Sequence, residues 1–332
     1  MRTVVIPRHG AATVLRIGER PTPTAGAGEL LIDVRAAGIN FADLMARAGL
    51  YPDAPKLPAV VGYEVAGVVT AVGDGVTDFV AGDRVLAGTR FGGYAEQVAV
   101  PATDAVPLPD RLTFEQGAAV PVNYSTAWAG LIRFGALLPG ERVLIHAAAG
   151  GVGIAATQLA KHAGAIVYGT ASPGKHDAIR DQGVDHPLDY RQRGWERGLP
   201  PMDLILDAIG GASFRRSYDL LRPGGRLVAF GASAALPGER RNLLSMIGAA
   251  VRMPRFNLIR QMSDSKSVIG LNMLRLWDEY GTLAPFSGPL RELLDDGVIE
   301  PVVAAAFPFD RAADAHRYLS ERRNIGKVVL VP

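Results

Sequence analysis

Residues 143–172, VLIHAAAGGVGIAATQLAKHAGAIVYGTAS, limit what this chain can fold into more than any other stretch, because they carry the layout of a dinucleotide-binding βαβ unit. An apolar run at 142–146 enters a turn of small residues at 148–153. A helical pattern follows in which Ile154, Leu159 and Ala163 share one face, and then a second strand at 165–169. Gly150 lets the backbone approach a pyrophosphate, and Gly153 lets the helix pack closely on the strand. The helix N-terminus offers unpaired N–H groups and a partial positive charge to the phosphates. Ala148 stands where the first glycine of G-x-G-x-x-G usually does. Glycine-rich turns also arise for backbone reasons alone, but here strand, turn and helix come in the required order and lengths.

The end of the second strand bears on the choice of dinucleotide. A carboxylate about 20 residues past the turn would bind an NAD ribose and repel the extra phosphate of NADP. None is present; the strand runs through Gly169, Thr170, Ala171 and Ser172 to Lys175 and His176. A hydroxyl and a compact cation suit a 2′-phosphate, so NADPH is favoured over NADH. The alternative is that Lys175 only starts a solvated helix.

With 332 residues the chain is long enough for two domains with separate cores. Its net charge of +2 gives no bulk attraction for nucleic acid. The start, MRTVVIPRHG, lacks the apolar region of a signal peptide, and no stretch reaches the length of a membrane span; a cytoplasmic protein is expected. There is no cysteine, and the six histidines are scattered, without metal-ligand spacing. No metal site is expected.

The first 121 residues read as short β segments punctuated by Gly and Pro, with strands at 4–6, 30–36, 65–72, 84–87 and 96–100 and a helix at 40–48. From 123 to about 250 strand and helix alternate, adding strands at 203–208 and 226–231, the latter entered through a Pro223-Gly224-Gly225 turn. That alternation predicts an open, doubly wound parallel sheet in an α/β fold. The remainder is mixed and closes with a strand at 326–331. Residues 240–262 combine ten large apolar side chains with five arginines and no acid. Such a segment can pack as a lid or subunit contact, or make peripheral contact with a membrane.

Taken together, AAGINFADLMARAGLYP (36–52), VNYSTAW (122–128), HAAAGGVGIAATQLA (146–160), GTASPGKH (169–176), HPLDY (186–190) and the C-terminal NIGKVVLVP resemble the zinc-free quinone oxidoreductase branch of the medium-chain dehydrogenase/reductase superfamily. Within it the chain is similar to the vesicle amine transport protein homologues. The resemblance implies a β-rich GroES-like catalytic domain from residues 1–122 and 268–332, a Rossmann NADPH-binding domain from 123–267, and a homodimer. It implies that Asn40, Tyr63 and a position near Val122 replace the Cys, His and Cys zinc ligands of metal-dependent relatives. It places Gly150, Gly151, Val152 and Gly153 at the pyrophosphate, Ser172, Lys175 and Tyr190 around the 2′-phosphate, and Asn324 beside the nicotinamide. One departure is Met45, where quinone reductases commonly carry tyrosine.

Hydride transfer needs the reacting carbon held against an electrophile and the charge developing on oxygen stabilised. A quinone or an α,β-unsaturated carbonyl meets that need without a metal, and one preorganised donor is worth about 3 kcal/mol. Asn40, Tyr51 and Tyr63 are the candidate catalytic donors. Asn40 also suits the N-cap of the helix at 41, with Asp43 opposing the dipole in its first turn, and Tyr63 also suits a core position. A second reading of the chain is a nucleotide-binding sensor or scaffold that joins membranes or protein partners through residues 240–262.

Overall fold

The computed structural model describes residues 1–236, 238–239, 247–248 and 251–332, and the chain divides into two compact units. The first comprises Met1–Ser125, Gly238–Arg241 and Leu274–Pro332; the second comprises Thr126–Pro237 and Asn242–Met273.

The first unit is built on a mixed seven-stranded sheet organised around one long strand, Glu29–Ile39. Its residues alternate between buried and partly exposed from Glu29 to Arg35 and are buried on both faces from Ala36 to Ile39, so the strand passes from sheet surface into core. One edge pairs antiparallel with Glu64–Val72. The other edge is shared: Gln97–Pro101 takes the first half and Lys327–Val331 the second. The register pairs Val328 with Ile39 on one side and Ala37 with Val65 on the other. One step further along each ladder, Lys327 and Glu64 reach the end of the strand, beside Asn40. Helix α1, Phe41–Ala48, leaves from that point and is closed by Gly49 in the left-handed region at φ 76°, a conformation glycine adopts without a Cβ penalty.

The second unit is an open sheet of six strands, all parallel: β1 Arg142–Ile145, β2 Ile166–Ala171, β3 His186–Asp189, β4 Met202–Asp207, β5 Leu221–Ala229 and β6 Ser267–Gly270. Their order is 3-2-1-4-5-6, the doubly wound Rossmann arrangement, whose direction reverses between β1 and β4. The expected Pro223-Gly224-Gly225 turn lies inside β5 as an excursion: the register jumps from Met202–Leu221 to Leu204–Arg226, and Gly224 has φ 83°. A domain boundary at 267 would separate β6 from the sheet it pairs with; the second unit runs on to Met273.

Helix α2, Gly151–His162, follows β1 and buries Ile154, Leu159 and the small residues between them. Gly153 is needed where it stands, because a Cβ there would lie 2.3 Å from the Ala147 carbonyl oxygen. Gly150, the N-cap, would bring its Cβ no closer than 3.3 Å to that oxygen and near nothing else. Gly153→Ala is therefore expected to cost about 1–3 kcal/mol through overpacking, and Gly150→Ala less than about 1 kcal/mol. Thermal unfolding of the two variants checks this, and equal losses would contradict the packing assignment.

Candidate active site

In the second unit the turn after β1 is supported from within. Ala147 takes a left-handed conformation at φ 54°, and its N–H donates to the Thr170 hydroxyl at 3.2 Å. Below it lies buried His146. Ser217 Oγ donates to Asp207 at 2.7 Å, so His146 Nε2–H donates to Ser217 Oγ at 3.0 Å and Nδ1 accepts from Thr170 Oγ1 at 3.3 Å. Burial lowers the His146 pKa, against the attraction of Asp207, and keeps the ring neutral. Asp207 also accepts from Ser213 Oγ at 2.7 Å and from the Ile209 N–H at 2.8 Å. This polar cluster ties the C-terminal ends of β1, β2 and β4 together at the point where strand order reverses. Sequence reading missed it, since each member is unremarkable until the parallel register assembles them.

The Thr170 hydroxyl is consumed in that cluster, which leaves Ser172 as the hydroxyl beyond β2. Ser172 and Lys175 are half-buried, the one at the N-cap and the other at the last residue of a short 3₁₀ turn, Pro173–Lys175, and Tyr190 is 41% exposed. Tyr190 follows the Asp189–Ala171 pair of the β3–β2 ladder, so the register brings it level with Ser172. Gly150, Gly151 and Val152 are half-buried and Gly153 is buried at the start of α2.

In the first unit Asn40 is the N-cap of α1, with extended backbone, and its N–H donates to Asp43 Oδ2 at 2.7 Å. The expected capping position and the expected polar role coincide, because its side chain turns elsewhere. Asn40 Nδ2 donates to Glu64 Oε1 at 2.8 Å, and Asn40 Oδ1 accepts from Lys327 Nζ at 2.7 Å. Lys327 also bonds Glu64 Oε1, and Glu64 Oε2 accepts the Val122 N–H at 2.7 Å. Lys327 is 3% exposed and Glu64 0%. Neither was singled out from sequence, where a charge at a strand end reads as solvated; only the sheet register brings them to Asn40.

Tyr63 is buried, and among the described residues its hydroxyl makes no hydrogen bond of good geometry, the Tyr51 hydroxyl being near enough to interact with it. Its ring packs against Phe91 at 5.0 Å and meets Tyr51 edge-on at 6.4 Å. Burial raises the pKa of both tyrosines, so both are neutral phenols at neutral pH and able to donate. An orphaned buried hydroxyl costs about 1–3 kcal/mol, a cost that a bound oxygen acceptor would relieve. Asn324 is buried and donates from Nδ2 to the Gly326 carbonyl at 2.8 Å.

Residues 26–110 match the alcohol dehydrogenase GroES-like domain, and residues 182–330 match the zinc-binding dehydrogenase family. The human synaptic vesicle membrane protein VAT-1 homolog is 39% identical over 100% of this chain and 86% of its own length. The chain belongs to the medium-chain dehydrogenase/reductase superfamily. Among solved members, an Escherichia coli quinone oxidoreductase complexed with NADPH superposes with TM-score 0.84 at 32% identity, covering 100% of both chains. A mycobacterial protein complexed with NADPH does so with TM-score 0.85, also at 32% identity and full coverage of both. The zinc in the name of one matched family does not fit this member's donor set. At Asn40 the cation facing the amide oxygen is the Lys327 ammonium, and a second cation there would meet like charge at close range. Among the described residues no group of three His, Cys, Asp or Glu is placed to hold a metal ion.

Beneath the cluster, Asp43 is fully buried. Its Oδ1 accepts the Gly62 N–H at 3.0 Å, and its Oδ2 accepts the Tyr94 hydroxyl at 3.0 Å. Burial dominates and pushes its pKa from 3.8 up to about 7, against the hydrogen bonds from Asn40, Tyr94 and Gly62 and the attraction of Lys327. Because the folded-state value is raised, the contribution of Asp43 to stability is fully present below about pH 4 and is lost as pH rises through about 7. Asp43→Asn forfeits an acceptor for one N–H, about 1–3 kcal/mol, but does not titrate. Its deficit in thermal stability relative to wild type is expected to narrow as pH rises from about 4 to about 7 and then level off. A deficit independent of pH would contradict this.

Proposed function

We propose that the protein is a metal-independent, NADPH-dependent reductase of quinones or α,β-unsaturated carbonyls. The observation that carries this reading is the end-to-end superposition on a quinone oxidoreductase solved with NADPH, together with a buried Tyr63 hydroxyl whose one phenolic neighbour, Tyr51, leaves it without a well-formed hydrogen bond among the described residues. NADPH, when bound, supplies the hydride. The 3-2-1-4-5-6 sheet, the start of α2 at its reversal point and Gly150, where the Ala147 carbonyl oxygen alone would come within 4 Å of a Cβ, fit a pyrophosphate. Gly151, Val152 and Gly153 complete that cradle. Ser172, Lys175 and Tyr190 would hold the 2′-phosphate, and Asn324 would line the nicotinamide end.

Tyr63 and the remaining Nδ2–H of Asn40 would donate to the substrate carbonyl oxygen as negative charge develops there, with Tyr51 lining the same side. Each donor preorganised in this way is typically worth a hundredfold or more in rate. Both phenols are poor acids, their pKa values being raised by burial, so their role is hydrogen bonding and the final proton comes from solvent. The reading extends to a homodimer joined through the outer edge of β6, where the sheet ends.

Lys175→Ala tests the cofactor assignment. Loss of a charge-assisted contact to the 2′-phosphate is worth about 1.5–3 kcal/mol, so affinity for NADPH is expected to fall about 10- to 100-fold while that for NADH changes little. Equal losses measured by nicotinamide fluorescence would remove the assignment.

A second reading, association with an anionic membrane surface, draws on the described part of residues 240–262; Arg240, Arg241, Leu243, Leu244 and Met246 lie outside the described residues. Phe256 packs on Tyr218 at 5.2 Å, but Leu258, Ile259 and Met262 are 74%, 70% and 74% exposed, with Arg260 among them. No helix among the described residues is long and apolar enough to cross a membrane. Flotation with vesicles containing phosphatidylserine is expected to show binding at low salt that is lost at high salt; absence of binding at low salt removes this reading.

A further inference from the structure

We infer that Lys327 is a positioning residue for the reduction: its ammonium fixes which end of the Asn40 amide faces substrate. The inference rests on the reading that Asn40 donates to the substrate oxygen, and it adds what makes that donor reliable.

An asparagine side chain is nearly symmetric in shape but opposite in chemistry at its two ends, with an acceptor on Oδ1 and two donors on Nδ2. Unless something discriminates between the ends, an amide at a substrate site presents either. Here both ends are discriminated by full charges. Lys327 Nζ donates to Asn40 Oδ1 at 2.7 Å, and Asn40 Nδ2 donates to Glu64 Oε1 at 2.8 Å. Flipping the amide would set its NH₂ against an ammonium and its carbonyl against a carboxylate, losing both charge-assisted bonds and replacing them with repulsions. In the orientation observed, Glu64 uses one Nδ2 hydrogen and the other remains. Asn40 is half-buried, and among the described residues no second acceptor meets that hydrogen. A cation on the carbonyl oxygen also draws electron density from the nitrogen and strengthens the remaining N–H as a donor.

The ammonium is itself held in place. Its three hydrogens meet three acceptors: Asn40 Oδ1, Glu64 Oε1 and, at 3.4 Å, Asn123 Oδ1. Asn123 is oriented in turn by its Nδ2, which donates to the Ala119 carbonyl at 3.0 Å. Glu64 is pinned from the far side by the Val122 N–H. The space is also reserved for it: a Cβ on Gly38 would lie 2.7 Å from both Glu64 Cγ and Oε1. Burying an ammonium and a carboxylate is a weak way to gain stability, since apolar residues of similar volume often do as well or better. An arrangement that engages every donor of the cation while orienting one half-exposed amide has a use beyond holding the fold.

The test is a mutant cycle on the enzyme with NADPH and a simple para-quinone or enone: Asn40→Ala, the charge-balanced pair Lys327→Met with Glu64→Gln, and the triple variant. The charge-balanced pair avoids leaving a buried charge alone, and thermal unfolding confirms that it folds. The expected result is a fall in kcat of at least about tenfold for the charge-balanced pair, with NADPH affinity by fluorescence within about twofold of wild type. In the Asn40→Ala background the pair is expected to produce no further loss, because the group it orients is gone. A charge-balanced pair with wild-type kcat, or losses that multiply in full in the triple variant, would overturn the inference. A wild-type enzyme that turns over no quinone or enone would overturn the reductase reading instead. The orientation would then be read from the Asn40 side-chain NH₂ resonances. A clear change in the Asn40 side-chain NH₂ chemical shifts in the charge-balanced pair supports it, and unchanged shifts refute it.

Discussion

The pairing of Lys327 with Glu64 at the end of the strand Glu29–Ile39 is the constraint on which the first unit's candidate site depends. Two ladders on opposite edges of one strand deliver a cation and a carboxylate to the same point, where the chain leaves the sheet and begins α1. A slip of one residue in either ladder would turn the charge to the opposite face of the sheet and leave its partner buried and unpaired, which costs several kcal/mol. Register, helix start and amide orientation are therefore one problem with one solution. Tyr63 is carried into place by the same ladder, as the residue before Glu64.

The second unit shows the corresponding logic around a single carboxylate. Asp207 gathers two serine hydroxyls and two N–H groups, and through Ser217 it sets the tautomer of His146. The result is a rigid floor beneath the turn at Ala147–Gly153, on which the left-handed Ala147 and the close contact at Gly153 are sustained. Each unit is thus built around its own buried polar group: Asp207 beneath a helix start in one, Lys327 and Glu64 beside an amide in the other.

Much of this was legible in the chain before its coordinates. The strands at 30–36, 65–72 and 84–87 and the helix at 40–48 were readable because apolar alternation, glycine punctuation and the capping Asn40 act locally, and the structure extends or trims them by a few residues. The βαβ unit was readable because phosphate binding at a helix start demands small residues in a fixed order. Lys327, Glu64 and Asn123 were not readable as a group. They lie in separate segments of the chain, and nothing about each residue type distinguishes a buried charge from a solvated one until strand pairing is known. The same holds for His146, whose spacing in the sequence matches no metal-ligand pattern and says nothing of Ser217 or Asp207. Thr170 was read as part of a donor run past β2, whereas its hydroxyl serves the turn.

The central claim is reduction by a hydride from NADPH with oxygen charge stabilised by side-chain donors and no metal. The most direct measurement is the initial rate of NADPH consumption with a panel of quinones and enones, before and after exhaustive treatment with a strong chelator. The account predicts substrate-dependent consumption that the chelator leaves unchanged. Turnover abolished by the chelator and restored by zinc, or no turnover of any panel member while NADPH is demonstrably bound, would contradict it.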